Sequence, residues 1–161
     1  GYNTAFEMDA DFSHNPKYLP DFIENIKNND MVIGSRYMKG GGVSNWSKFR
    51  RFISKAGNVY AKFILNCSIK DLTGGFICYN VDILKRLDLD KISSEGYSFQ
   101  IEMKYIFYKN KFNIKEIPIV FEERREGKSK MSKAVFFEAM FKVLRFRFMN
   151  VKKFLKAGKN D

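Results

Sequence analysis

An α/β layer fold is predicted for this chain by three observations. Short strand-like apolar runs alternate with stretches of helical apolar spacing. The first such run leads directly into an acidic pair, as at the sheet ends where α/β folds bind ligands. The 161 residues, 45% hydrophobic and 29% charged, suffice for one packed domain and are too apolar for a disordered chain.

Asn3 to Met8 reads as a short buried strand ending at Asp9-Ala10-Asp11. Pro16 then suits a first helical turn, and Leu19, Phe22, Ile23 and Ile26 supply that helix with an apolar stripe. Met31-Val32-Ile33 is a second strand. After it, Gly34-Ser35-Arg36-Tyr37 and the Gly40-Gly41-Gly42 run predict a mobile loop that serves as a lid. From Lys48 to Asn66, Phe49, Phe52, Ile53, Ala56, Val59, Tyr60, Phe63 and Ile64 fall on one helical face, expected to lie against the core. Phe76 to Tyr79 reads as a strand, 81–87 and 99–108 as helices, and Ile114 to Phe121 as one strand.

Composition narrows the function. Lys and Arg number 29 against 18 Asp and Glu, a net charge of +11, which favours an anionic partner. The charge is uneven: residues 1–30 carry 2 basic and 6 acidic side chains, residues 121–161 carry 12 and 5. No window approaches the ~18 uncharged apolar residues that span a bilayer. Two cysteines and one histidine exclude a disulfide scaffold, leave a zinc site short of N/S ligands and favour a reducing compartment. The start at Gly1, without Met or a leader, suggests a truncated N-terminus.

In extended backbone, carboxylates two apart leave on one side, so Asp9 and Asp11 could share one hard cation with a diphosphate. Taken alone the pattern is weak, because about half a D-x-D is expected by chance at this composition. Asp88-Leu89-Asp90 is a second copy that follows a helix and reads as solvated loop charge. Asp71-Leu72-Thr73-Gly74-Gly75-Phe76 would let backbone approach a sugar or phosphate, and equally reads as a tight turn. Arg124-Arg125-Glu126-Gly127-Lys128-Ser129-Lys130 carries four cations suited to phosphate oxygens, and equally reads as a solvated basic loop.

The order of five motifs is more specific than any one of them: M-D-A-D-F-S-H-N-P at 8–16, G-S-R-Y at 34–37, D-L-T-G-G-F at 71–76, G-Y-S-F-Q-I-E-M at 96–103 and R-R-E-G-K-S-K-M-S at 124–132. From Gly1 to about Arg147 the chain resembles the polyprenol-phosphate (dolichol-phosphate) mannosyltransferases. That resemblance implies a glycosyltransferase-A fold, a Rossmann-like mixed sheet flanked by helices, here incomplete. It implies inverting transfer of mannose from GDP-mannose to a polyprenol or dolichol monophosphate, with Mg2+ or Mn2+. It divides the chain into a catalytic portion, 1–131, and an amphipathic basic helical segment with its tail, 132–161.

By motif position, the resemblance puts Asp9 and Asp11 at the donor and metal, with Ser13 where some relatives have a glutamine ligand. It puts Asp71, Gly74, Gly75 and Glu102 on the sugar side. Arg36, Arg50, Ser54, Arg124, Ser129 and Lys130 would hold the acceptor phosphate, and Asp9, Asp11 and Arg124 would be catalytic. It also implies peripheral attachment to the cytoplasmic face of a membrane, the plasma membrane in a prokaryote or the endoplasmic reticulum in a eukaryote.

Phe137, Phe141, Leu144, Phe148, Val151 and Leu155 recur at threes and fours between Ser132 and Lys156, with Lys142, Arg145, Lys152, Lys153 and Lys156 on another side. The pattern resembles a helix lying in a membrane interface; a core-covering or partner-covering helix is the alternative, and Asn150 could divide it. The family's N-terminal nucleotide-binding half, with its P-x-Y-N-E-like loop, has no counterpart before Asn3. Weak activity is therefore expected until a missing N-terminal segment is supplied, and a membrane-anchoring subunit is a further candidate partner. Two other functions compete: a UDP-glucose-dependent polyprenol-phosphate glucosyltransferase, and a non-catalytic basic module for lipid or RNA. The absence of any RNP1, KH or zinc-finger spacing argues against nucleic acid.

Overall fold

The computed structural model describes residues 1–123 and 133–156, the side chains of 133–136 excepted. Strands β1 (Thr4–Glu7), β2 (Met31–Ser35), β4 (Ile77–Asn80) and β5 (Ile114–Pro118) form a four-stranded sheet in the order β1-β4-β2-β5. β4 runs antiparallel to both β1 and β2, and β2 runs parallel to β5. The sheet is mixed, as expected. β3 (Gly42–Val43) and β6 (Val120–Phe121) make a separate parallel pair.

Alternation along the strands divides the core. Val32, Cys78 and Ile117 meet helix α1 (Leu19–Ile26) through Phe22 and Ile26. Met31, Ile33, Ile77 and Tyr79 enter the larger cluster on the other face, with α2 (Lys48–Leu65), α4 (Tyr97–Lys109) and α5 (Lys133–Arg147). Helix α4 is buried at every position from Ile101 to Phe107, so it is the central helix of that layer. The short helix α3 (Val81–Lys85) continues from β4 under an Asn80 cap.

Three expectations need correction. The Gly40-Gly41-Gly42 run is an ordered turn entering a strand: the Gly41 N–H donates to Met38 O at 2.9 Å, Gly40 sits at φ +89° and Gly42 opens β3. The expected strand over 114–121 is two strands in different sheets, β5 ending at Pro118, which has no N–H for a ladder. Helix α2 forms as expected, but only part of the expected face turns inward, through Tyr60 and Ile64, which pack against the main core. Asn58, Ala61 and Leu65 are buried, whereas Phe49, Phe52, Val59 and Phe63 are exposed, Phe63 to 82%.

The C-terminal segment divides at Asn150, which caps a 3-10 turn, Val151–Phe154. Val143, Phe146, Val151 and Phe154 join the main core. Phe137, Phe141, Leu144 and Phe148 are exposed, Phe148 to 89%. The periodic stripe thus changes surroundings where the helix ends, since Val151 is buried.

Candidate active site

β1 stops at Glu7, and the chain bends over 10–12, with Phe12 at φ +63°, so Asp9 and Asp11 lie beyond the strand and not within it as expected. Two neighbours shape that bend. The Asp9 N–H donates to His14 Nδ1 at 2.9 Å. Asp11 Oδ1 accepts the Ser13 N–H at 3.1 Å and the Ser13 hydroxyl. Ser13 is fully buried and orients Asp11. His14 stacks on Phe76, ring centroids 4.9 Å apart. Burial lowers its pKa to about 4 against the opposing pull of Asp9, so it is neutral near pH 7. With Nδ1 accepting, its proton belongs on Nε2.

The second element is the turn before β4. Asp71, fully buried, accepts from Arg36 Nε at 2.7 Å and from Arg36 Nη2 at 2.8 Å. It also accepts the N–H of Arg36 at 2.9 Å and that of Gly74 at 2.9 Å. Arg36 is 8% exposed, and its Nη2 also reaches Thr73 Oγ1 at 2.8 Å. Burial alone would raise the Asp71 pKa, but the Arg36 guanidinium outweighs it and holds the carboxyl well below the usual range. Burial likewise opposes the Arg36 charge, and Asp71 reverses the shift, moving its pKa up.

Phe121 joins these elements. Its ring lies 5.2 Å from the His14 ring, 5.4 Å from the Trp46 ring and 5.7 Å from the Arg36 guanidinium carbon. Arg50 in turn lies 4.2 Å over the Trp46 ring and pairs with Glu123 at 3.0 Å. Ser54, one helical turn beyond Arg50, bonds Tyr37 Oη at 2.7 Å, and Arg36 lies over the Tyr37 ring at 5.2 Å. The Glu122 N–H donates to Ser13 O, and its carboxylate takes Asn15 Nδ2. One aromatic residue at the end of β6 therefore connects the acidic bend, the Asp71 turn and the start of α2.

Several expected residues thus share a neighbourhood: Asp9, Asp11, Ser13, Arg36, Arg50, Ser54, Asp71 and Gly74. Gly75 lies against α4, since a Cβ there would collide with the Gln100 side chain. Glu102 is buried and accepts the Ser94 N–H at 3.2 Å. Arg124, Ser129 and Lys130 lie outside the described residues. Asp88, in the second D-x-D, pairs with Lys91 at 2.9 Å as loop charge. Sequence reasoning missed His14, Trp46, Tyr37 and Lys104. For Lys104 a signal existed, a charge inside the apolar run from Ile101 to Phe107.

Asp9 and Asp11 are hard oxygen donors, the type that Mg2+ or Mn2+ takes when a diphosphate fills its remaining positions. Among the described residues, no three His, Cys, Asp or Glu side chains form a ready metal-binding group. Two carboxylates leave most of such an ion's oxygen positions open, so a bound diphosphate would have to supply others.

An undecaprenyl-phosphate mannosyltransferase of Micrococcus luteus is 42% identical over 146 residues, 91% of this chain and 60% of that protein. A polyprenol monophosphomannose synthase of Mycolicibacterium smegmatis is 43% identical over 144 residues, 89% of this chain and 54% of that protein. The chain therefore spans little more than half the length of either relative. A family profile described as glycosyl transferase family 2 matches residues 5–88, more than half of the chain, from β1 through the acidic bend, Arg36 and the Asp71 turn. The chain belongs to glycosyl transferase family 2.

Proposed function

We propose that this chain is the larger part of a polyprenyl-phosphate mannosyltransferase, which passes mannose from GDP-mannose to a polyprenol monophosphate with inversion. The observation that carries the reading is the convergence on Phe121 of the acidic bend, the Arg36–Asp71 pair and Arg50. The names of the two relatives support mannose and a polyprenol acceptor.

The reaction asks mainly for placement of charge. A lipid monophosphate has a second pKa near ~6, so at neutral pH it is a dianion that needs no protein base. Its oxygen attacks C1 of the sugar while the bond from C1 to the diphosphate breaks and GDP leaves. Asp9 and Asp11 would hold Mg2+ or Mn2+, which when bound offsets the charge of the departing diphosphate. Among the described residues Arg50, partly exposed and stacked on Trp46, is the cation we assign to the acceptor phosphate. Arg36, already neutralised by Asp71, would act by orienting the sugar-side turn.

Peripheral membrane attachment belongs to the same reading. Helices α2 and α5 pack together, with Tyr60 Oη donating to Met140 O at 3.1 Å, and both carry exposed phenylalanines beside exposed Lys48, Arg51, Lys55, Arg145 and Arg147. Aromatic side chains flanked by cations suit an anionic lipid surface. Among the described residues no helix is long and apolar enough to cross a membrane. Sedimentation with anionic vesicles tests this: Phe63→Ser with Phe148→Ser should leave the protein in the supernatant, and unchanged pelleting would refute the attachment.

The catalytic reading is tested by calorimetric titration of GDP-mannose with and without Mn2+. We expect metal-dependent binding that Asp11→Ala abolishes. Metal-independent binding, or binding of UDP-glucose in preference, would overturn it.

A further inference from the structure

Lys104 lies in the middle of α4, fully buried, and its Nζ donates to Asp71 O at 2.9 Å and to Gly74 O at 2.6 Å. Among the described residues it makes no ion pair. A buried ammonium is costly, and an apolar side chain of equal length would fill the same volume without the desolvation. Its placement is explained by what it holds.

Both carbonyls belong to the turn that carries Asp71, and buried or half-buried side chains grip that turn from several sides. Glu116 accepts the N–H groups of Lys70 at 2.8 Å and Asp71 at 3.0 Å. Asn58 donates to Lys70 O at 2.6 Å and accepts the Leu72 N–H at 2.8 Å. Gln100, one helical turn before Lys104, closes the floor beneath Gly75. Of these groups only Lys104 pulls carbonyls inward at both ends of the turn. Without it, the Asp71 and Gly74 carbonyls become buried acceptors lacking a donor, and turning them toward water rotates the peptide planes that aim the Asp71 carboxylate at Arg36.

We propose that Lys104 is a positioning residue of the sugar-transfer site, holding the 71–74 turn so that Asp71 keeps Arg36 and Gly74 in register. This rests on the transferase reading only for its kinetic consequence; its structural consequence can be read without activity.

The test compares the wild-type protein with Lys104→Met, which keeps the length and removes the donors, and with Lys104→Arg, which keeps charge and donors. Amide exchange by mass spectrometry should show residues 70–76 losing protection about tenfold in Lys104→Met, with β2 and α2 unchanged. In steady-state transfer from GDP-mannose to a polyprenyl monophosphate, kcat should fall about a hundredfold while KM for the donor changes little. Lys104→Arg should recover much of both. If Lys104→Met does not melt cooperatively, Lys104→Leu, which also removes the donors in a smaller side chain, replaces it. Unchanged protection at 70–76, or loss spread evenly over β2 and α2, would overturn the proposal. Selective loss at 70–76 in a full-length protein that transfers no mannose would sink the transferase reading and leave the placement of Lys104 standing.

Discussion

Arg36 and Asp71, 35 residues apart in sequence, meet in a buried fork in which both carboxylate oxygens accept from one guanidinium and the Arg36 N–H adds a further bond. This contact ties the end of β2 to the turn that leads into β4. Removing one partner leaves the other charge buried and unpaired. Asp71→Asn or Arg36→Met should each cost about 3–5 kcal/mol in urea unfolding. The double variant Arg36→Met with Asp71→Asn should cost clearly less than the two losses added together. Additive losses would mean that the fork contributes little.

The same pair sets part of the acid sensitivity. The Asp71 carboxyl titrates near 3.8 when unfolded and lower in the fold, where burial opposes its charge and Arg36 more than restores it. The unfolded chain therefore takes up this proton first. The stabilisation is complete above 3.8 and declines as pH falls below that value. Urea midpoints between pH 6 and pH 2.5 should fall less steeply for the double variant than for wild type.

The three consecutive glycines should respond differently to alanine. A Cβ at Gly41 would strike the Ser35 carbonyl oxygen, which is backbone and cannot swing aside, so Gly41→Ala should cost about 1–3 kcal/mol. Gly40, at φ +89°, should cost about 1–2 kcal/mol through its left-handed backbone. Gly42 has nothing within 4 Å, and its replacement should be nearly neutral. Thermal melts of the three single variants decide it; equal effects would restore the loose-loop picture.

Cys67 and Cys78 are both buried and free, and burial pushes each thiol pKa up to about 11. Thiolate is the reactive form, so labelling with an aromatic disulfide reagent at pH 8 should be slow in buffer and fast in denaturant. Rapid labelling of the folded protein would show that one of the two sites opens locally.

Much of this protein could be read from its residues in order. The alternation of strands and helices, the acidic pair after β1, and the sequence of five motifs need only local spacing, and spacing survives in a linear string. The α2 helix shows where that reading ends. Its phenylalanines are plain in the sequence, yet they face outward, while Asn58 on the buried side bonds Lys70 O and Leu72 N–H. Periodicity identifies a face without saying what covers it.

Which charges become partners was likewise decided in three dimensions. Arg36 and Asp71 read from motifs as contacts for two separate ligands, and the fold turns them toward each other. Lys104 stands out in sequence only as a charge in an apolar run, and its role emerges when α4 is buried and its ammonium finds two carbonyls. Phe121 carries no chemistry of its own, and only the parallel pairing of β6 with β3 brings it between His14, Trp46 and Arg36. Residue order determines which groups are available. Burial and long-range pairing determine which of them remain charged, which are neutralised and which are left to face a ligand.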